Sequence, residues 1–431
     1  LRKGASDAAS GGWIAEASLA VVILLVVALL RSTSKFTFSE SPEDSSVGLV
    51  AWGSMYVFAA CRLYAMRARA MQSAGRSRAL LAFLAIVVLS VLWSSATYVT
   101  LRDAIELLGT TLVGWYLVTR FTLWQFLQIV AVVFAVITVA SVAMVFGSPA
   151  RGRMDWGTGS MSGVLAEKNA LGAAMALTCF TIVFLGLHVK TWRSRIALAL
   201  VLLPSVGLLI GSNSITAAIF LAATSVLLVV AWGLSRKQYG AVVAVFFAGV
   251  VAVFVVFGVF GTDTATLFES IGRSSNLTGR ADLYPPLLEA VRDRPLLGFG
   301  YDAFFKSETL VPYLSNFIAL INWIPPHAHN SFLQIALDTG LVGLGVFLVV
   351  LGTALKRSVQ MLARGGRAID FWPFAILVFL TLGSYDETYF AQSNTLEWIV
   401  FLAAALYPIR EAPADKPSVV EPVRKLARFS R

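Results

Sequence analysis

Cysteine, histidine and charge are all scarce in this chain of 431 residues, which has two cysteines, three histidines and 13% charged residues. Cys61 and Cys179 both fall inside apolar runs, which excludes a disulfide framework and a cysteine-rich metal site. Soluble domains carry about 25% charge, so the shortage excludes an ordinary water-soluble enzyme. The net charge of +10 does not point to nucleic acid, because the basic residues are scattered between apolar runs and not gathered on one polar face. In place of charge there is apolar surface, with 58% hydrophobic residues and a mean hydropathy of +0.77. The chain reads as an integral membrane protein.

Apolar runs long enough to cross a hydrocarbon core lie near 13–31, 47–62, 79–97, 103–119, 123–146, 168–188, 195–211, 214–234, 240–261, 331–355, 369–385 and 395–409. Backbone groups in lipid must bond internally, so these predict about twelve transmembrane helices in an all-α polytopic protein, a single membrane domain over 1–431. The first run lacks a small-residue cleavage site followed by a soluble body and reads as a retained anchor. The chain opens at Leu1 and not at Met, so further residues are expected ahead of it. With the N-terminus inside, 23 of the 34 Lys and Arg fall in inner segments, including Arg62, Arg67, Arg69, Arg76 and Arg78 in one of them. Both ends are therefore expected in the cytoplasm, the C-terminal one as a basic tail over 410–431.

One outer segment, 262–330, is long enough to hold structure of its own. Leu283, Leu287, Leu288 and Val291 recur there at helical spacing, and Pro295 closes the run. This predicts short amphipathic helices, the first lying on the outer membrane surface. Gly298 and Gly300 read as a tight turn needing positive φ, although Gly298-Phe299-Gly300-Tyr301-Asp302-Ala303 superficially fits a dinucleotide fingerprint. A second outer loop, 147–168, is Gly-rich and carries Arg151, Arg153 and Lys168.

Two of the three histidines stand together in Pro325-Pro326-His327-Ala328-His329-Asn330, at the outer mouth of a span. Such a pair can serve as a general base, as a structural element, or as part of a metal site. No third nitrogen or sulfur ligand lies nearby in sequence, which argues against a metal, although carboxylates from other loops remain available. His188, beside Lys190 at an inner helix end, reads as an interfacial terminus. Outer arginines are the second clue, since they need a carboxylate, a lipid head group or an anionic substrate as partner. Arg280 could pair with Asp282 or Glu289, or could hold a diphosphate through its forked side chain. Arg102 and Glu106, four apart, read as a helix-surface pair.

Taken in order, Thr278-Gly279-Arg280, a Leu-rich helix, Arg294-Pro295-Leu296-Leu297-Gly298-Phe299-Gly300, His327-Ala328-His329-Asn330-Ser331-Phe332-Leu333-Gln334 and Gly340-Leu341-Val342-Gly343-Leu344 resemble the O-antigen ligase and O-antigen polymerase superfamily. Glu167-Lys168-Asn169-Ala170-Leu171-Gly172 and residues 212–216 add to the resemblance. It implies a bacterial inner-membrane glycosyltransferase with a GT-C-like helical fold, taking a glycan from an undecaprenyl diphosphate carrier at the periplasmic face. The acceptor is a glycan or glycolipid, and neither metal nor other cofactor is implied. Carried over by position, His329 resembles the proposed general base and Arg280 the arginine that holds the diphosphate. Arg151, Arg153, Lys168, His327, Asn330, Asp386 and Glu387 complete the candidate set as substrate-binding residues, the last two also able to orient the histidine. Members often carry a basic residue after Ser at the start of the span-eight helix, where this chain reads Ser214-Ile215-Thr216, so Arg153 or Lys168 is expected to supply that charge.

Within the superfamily, Tyr301-Asp302-Ala303-Phe304-Phe305 and the late outer segment before Trp398 lean toward an exopolysaccharide polymerase, with a ligase acting on lipid A core as the alternative. A flippase or secondary transporter is the rival from another class. Transporters place ionisable groups and broken helices near the midplane, whereas the polar residues here concentrate in outer loops.

Overall fold

The computed structural model describes residues 2–30, 46–75, 78–153, 159–235, 280–321, 324–363 and 367–407. The run near 240–261, the first part of the long outer loop (262–279) and the tail at 410–431 lie outside the described residues. Among the described residues the regular elements are helical, and an isolated bridge between Arg153 and Met161 is the sole pairing of extended backbone.

Among the described residues, fifteen α-helices follow in order. They are α1 (Arg2–Leu30), α2 (Ser46–Ala65), α3 (Arg67–Ala74), α4 (Arg78–Leu89), α5 (Thr97–Arg120), α6 (Leu123–Gly147), α7 (Pro149–Gly152), α8 (Lys168–Gly186), α9 (Trp192–Gly211) and α10 (Ile215–Ser235). After the gap come α11 (Arg280–Asp293), α12 (Val311–Ile321), α13 (Ser331–Ala363), α14 (Trp372–Gly383) and α15 (Leu396–Leu406). Local chemistry marks their starts: at α6 the Thr122 hydroxyl accepts from Gln125 N–H while the Gln125 side chain accepts from Thr122 N–H.

The protein is a polytopic membrane protein, with fewer long spans among the described residues than the apolar runs predict. Five helices (α6, α8, α9, α10 and α13) are long and apolar enough to cross a membrane, six if α2 and α3, bent by 98°, count as one. Four more apolar stretches, Ile14–Leu30, Arg78–Trp93, Ala368–Gly383 and Leu396–Leu406, are only 10–17 residues long. The runs at 79–97 and 369–385 fall short because their helices, 3-10 turns included, end at Trp93 and Gly383, and the run near 240–261 lies outside the described residues. Helix α5 carries Arg102, Asp103 and Glu106 in its first three turns.

Helix α13 contains the main irregularity. At Gly340 the backbone turns to φ 67°, ψ −173°, breaking the ladder. The amides of Leu341 and Val342, which in a continuous helix would bond to Leu337 and Asp338, donate instead to the carbonyls of Pro295 (2.7 Å) and Leu296 (3.3 Å). The carbonyls of Leu337 and Asp338 accept from Phe299 N–H (2.7 Å) and Gly300 N–H (3.0 Å). Thus the predicted glycine turn, with φ of 66° at Gly298 and 99° at Gly300, is inserted into the helix and takes over its broken hydrogen bonds. A methyl group on Gly298 would fall on the Leu337 carbonyl, and one on Gly340 on that of Leu296.

Around this turn a small cap builds its own apolar core from Leu283, Leu287, Phe299, Phe304, Leu310, Leu314 and Phe317. Helix α11 turns its apolar face to this core, with Leu283 and Leu287 buried. The expectation of a helix lying on the membrane surface is thereby corrected: the apolar stripe meets α12 and α13, and Leu288 is left exposed. Deeper down, Phe347 of α13, Phe390, and Trp398 and Phe401 of α15 stack with successive ring centroids 5.1 Å apart. This cluster anchors the connection between α14 and α15 to α13. Substituting Gly340 by Ala forces both a disfavoured φ and a clash with Leu296. It should cost about 1–3 kcal/mol, read as a lower unfolding temperature in detergent; an unchanged temperature would contradict the inserted turn.

Candidate active site

The loop 327–330 runs directly into α13. Asn330 caps that helix, its Oδ1 accepting from the amides of Phe332 and Leu333, each at 3.0 Å. Ahead of the cap, His329 adopts φ 49°, a left-handed conformation that a non-glycine residue holds only when its surroundings impose it. Here three contacts do so. Ala328 is buried and donates its N–H to Gln334 Oε1 at 2.9 Å. His329 N–H donates to His327 Nδ1 at 3.2 Å, and Tyr284 of α11 donates its hydroxyl to the His329 carbonyl at 3.3 Å. The two imidazole centroids lie 4.2 Å apart.

Facing this loop is the segment 384–390 at the end of α14. Ser331, fully buried, joins the two. Its amide donates to the Ser384 carbonyl (2.9 Å), and its Oγ accepts from the amides of Tyr389 (2.8 Å) and Phe390 (3.1 Å) while lying 2.9 Å from Ser384 Oγ. The junction sets Glu387 Oε2 3.2 Å from His329 Nδ1. The other oxygen, Oε1, accepts from Asn169 Nδ2 at 2.7 Å, at the start of α8. Both side chains are largely buried, His329 at 12% exposure and Glu387 at 11%. Thr388 adds a hydroxyl 3.2 Å from His327 Nδ1.

The structure therefore brings His327, His329, Asn330 and Glu387 together. Lys168, at the first position of α8, is adjacent in sequence to the Asn169 that contacts Glu387. Arg280 is the first residue of α11, one turn ahead of Tyr284, whose hydroxyl also donates to the Tyr385 carbonyl. Arg151 and Arg153 are exposed on the turn after α6. That turn packs on the α9–α10 junction through Met161 N–H to the Gly211 carbonyl and Asn213 Nδ2 to Ser160 Oγ. Asp386 is buried beside Glu387. Arg102 lies 3.9 Å from Glu106 and 2.9 Å from Asp103, but both carboxylates are buried and Glu106 also accepts from Asn394 Nδ2 at 3.0 Å, so the expected helix-surface pair is corrected to a buried cluster. His188 Nδ1 sits 3.0 Å from the Phe184 carbonyl at the end of α8.

Sequence reasoning overlooked Asn169, Tyr284, Ser331, Gln334 and Thr388 as functional residues. Asn169 and Ser331 stood within motifs that were noted, but no spacing rule connects Asn169 with a carboxylate 218 positions away. Electrostatically the cap is tied to α5 by Lys306, whose ammonium contacts Asp302 (2.6 Å) and Asp103 (2.9 Å). Burial works against that charge, but the two carboxylates outweigh it and hold Lys306 above the ordinary lysine range. His327, His329 and Glu387 each offer a ligand atom, all within 4.8 Å of one another, so this trio is the set among the described residues that could hold a metal ion. Two imidazoles and a carboxylate are also a ligand set used by catalytic zinc.

Comparison with known proteins agrees with the motifs. The family described as O-antigen ligase matches residues 199–348, which include both histidines and the paired glycine turns. The chain is 27% identical over 300 residues to the exopolysaccharide production protein ExoQ of Rhizobium meliloti, covering 65% of each chain. The match thus spans a little under two thirds of that relative's length. It is also 29% identical over 119 residues, 26% of this chain and 28% of the relative, to RP358 of Rickettsia prowazekii, which carries the provisional name of polysaccharide ligase. Glu387 lies beyond the family match.

Replacing Ser331 by Ala strips acceptors from two buried amides and should cost about 1–3 kcal/mol. Thermal unfolding in micelles would show the loss; a variant as stable as the parent would mean that the two loops are held by other contacts.

Proposed function

We propose that the chain is an inverting, metal-independent glycosyltransferase with a GT-C-like fold that moves a glycan from undecaprenyl diphosphate to an acceptor sugar hydroxyl. The reaction takes place at the periplasmic face of the bacterial inner membrane. The reading rests on the 3.2 Å contact between His329 Nδ1 and Glu387 Oε2. With the Nδ1 proton directed to the carboxylate, the basic lone pair of the imidazole is on Nε2. His327 has the opposite arrangement, since its Nδ1 accepts the His329 amide. Of the two, His329 is therefore assigned as the base and His327 as its support. Glu387 fixes the ring and stabilises the imidazolium that forms, while Asn169 holds the carboxylate.

As His329 takes the acceptor's proton, the acceptor oxygen attacks the anomeric carbon and the bond to the diphosphate oxygen breaks. A single in-line displacement inverts that carbon. Arg280 at the head of α11, with Arg153 or Lys168, would neutralise the departing diphosphate. Tyr284, one turn further along α11, touches the His329 carbonyl, which supports a place for Arg280 on the same side of the cap. Arg151, Asn330 and Asp386 complete the groups available to the sugars. Similarity to ExoQ over 300 residues favours polymerisation of repeat units, and the shorter similarity to RP358 keeps transfer to lipid A core as the alternative.

His329→Ala should lower turnover by about 10²- to 10⁴-fold and leave single carrier-linked repeat units where polymer was made. Polymer of unchanged length from well-inserted protein would refute the assignment, and finished polymer stranded on the carrier would identify a ligase. A cation in the His327–His329–Glu387 trio would occupy the lone pair that the base needs. Activity should accordingly persist after prolonged chelation, whereas loss on chelation and recovery with zinc would replace the imidazole base with a metal-activated nucleophile.

A further inference from the structure

The end of the helix bundle away from the histidines contains a second polar cavity of about 350 Å³. Helix α5 fixes its side: the Thr97 end meets the cap through Asp103 and Lys306, and the Arg120 end lines the cavity. The positive-inside count assigns this end to the cytoplasm. Arg69 after the bend between α2 and α3, Arg120 at the end of α5, and Arg367 ahead of α14 all line it. Asp370 is the one carboxylate among the described lining residues, and its Oδ2 already accepts the Arg367 amide at 2.8 Å. Arg120 is paired with Glu16, and with Arg69 and Arg367, both exposed, set against the single carboxylate of Asp370, the described lining keeps a net positive charge.

A second observation points to a ligand. Tyr407, at the end of α15, also lines the cavity; it is 5% exposed, and its hydroxyl has no hydrogen-bond partner. A buried hydroxyl in that state carries a desolvation penalty that a bound acceptor would remove. Guanidinium groups lining one small cavity, with the buried Tyr407 at its wall, fit a phosphate, and Trp124 on its rim has the amphipathic character of an interfacial residue. We propose that this cavity seats the phosphate of an anionic phospholipid from the cytoplasmic leaflet, packed where α5, α6, α14 and α15 converge.

The test uses the full-length protein, delipidated in detergent and titrated with dioleoylphosphatidylglycerol, with dioleoylphosphatidylcholine as the zwitterionic control, and bound lipid counted by native mass spectrometry. Phosphatidylglycerol should bind at least tenfold more tightly. R69Q/R367Q should lose about ten- to thirtyfold of that affinity, Y407F a smaller part, and R193Q, a change to another arginine on the same face, none. Equal binding of the two lipids, or phosphatidylglycerol binding untouched by R69Q/R367Q and by Y407F alike, would overturn the proposal. Inorganic phosphate displacing phosphatidylglycerol at equal concentration would overturn the lipid assignment in favour of a soluble phosphate. Unfolding temperatures of the variants near that of the parent show that any loss is local.

Discussion

The arrangement of the site depends on one buried hydroxyl. Ser331 begins α13, and through its amide and its Oγ it engages Ser384, Tyr389 and Phe390 on the far side of the site. That junction joins the segment bearing Glu387 to the loop bearing His329, 58 residues apart in sequence, and the Tyr284 hydroxyl and the Thr388–His327 contact reinforce it. A serine suits the position because a small side chain with both donor and acceptor capacity satisfies two amides in a space closed to water. The left-handed backbone at His329 is a consequence: the loop must turn sharply between the buried Ala328 and the Asn330 cap to enter the helix.

A second constraint acts nine residues further along α13, about two and a half turns deeper. Breaking α13 at Gly340 would strand two amides and two carbonyls in an apolar setting, and the glycine turn at 295–300 satisfies all four. Irregular backbone at this depth persists because it is enclosed by protein on one side and by the cap core on the other. The exchange also transmits position. Asp338, whose carbonyl accepts from Gly300, is bonded through its side chain to Gln334, and Gln334 in turn holds the Ala328 amide between the two histidines. The cap, the kink and the imidazole loop are thus one hydrogen-bonded unit, to which Lys306 attaches the Thr97 end of α5.

Much of this was legible in the sequence. The apolar runs announced a polytopic helical protein, the glycines of Gly298-Phe299-Gly300 announced positive φ, and the order of motifs announced the family resemblance. Periodicity located α11 but gave its environment wrongly, because an apolar stripe of this length suits a membrane surface and a protein cap equally well. The match of run length to helix length failed where the helix stops short of the apolar run, at Trp93 and Gly383. Within the site, Glu387 could be named as a candidate to orient the histidine because it is an acidic residue in an outer loop. Asn169 could not be given its role, since the contact joins α8 to the end of α14 and is a property of helix packing with no local signature.

The central claim is that His329 takes the acceptor's proton while the cap presents cationic groups to the diphosphate, and the most direct measurement is a structure with a carrier-linked glycan and an acceptor bound. The account predicts an acceptor hydroxyl within about 3 Å of His329 Nε2, Nδ1 still on Glu387, and the diphosphate beside Arg280. An acceptor hydroxyl held by another residue, with the imidazole turned away from the anomeric carbon, would contradict it.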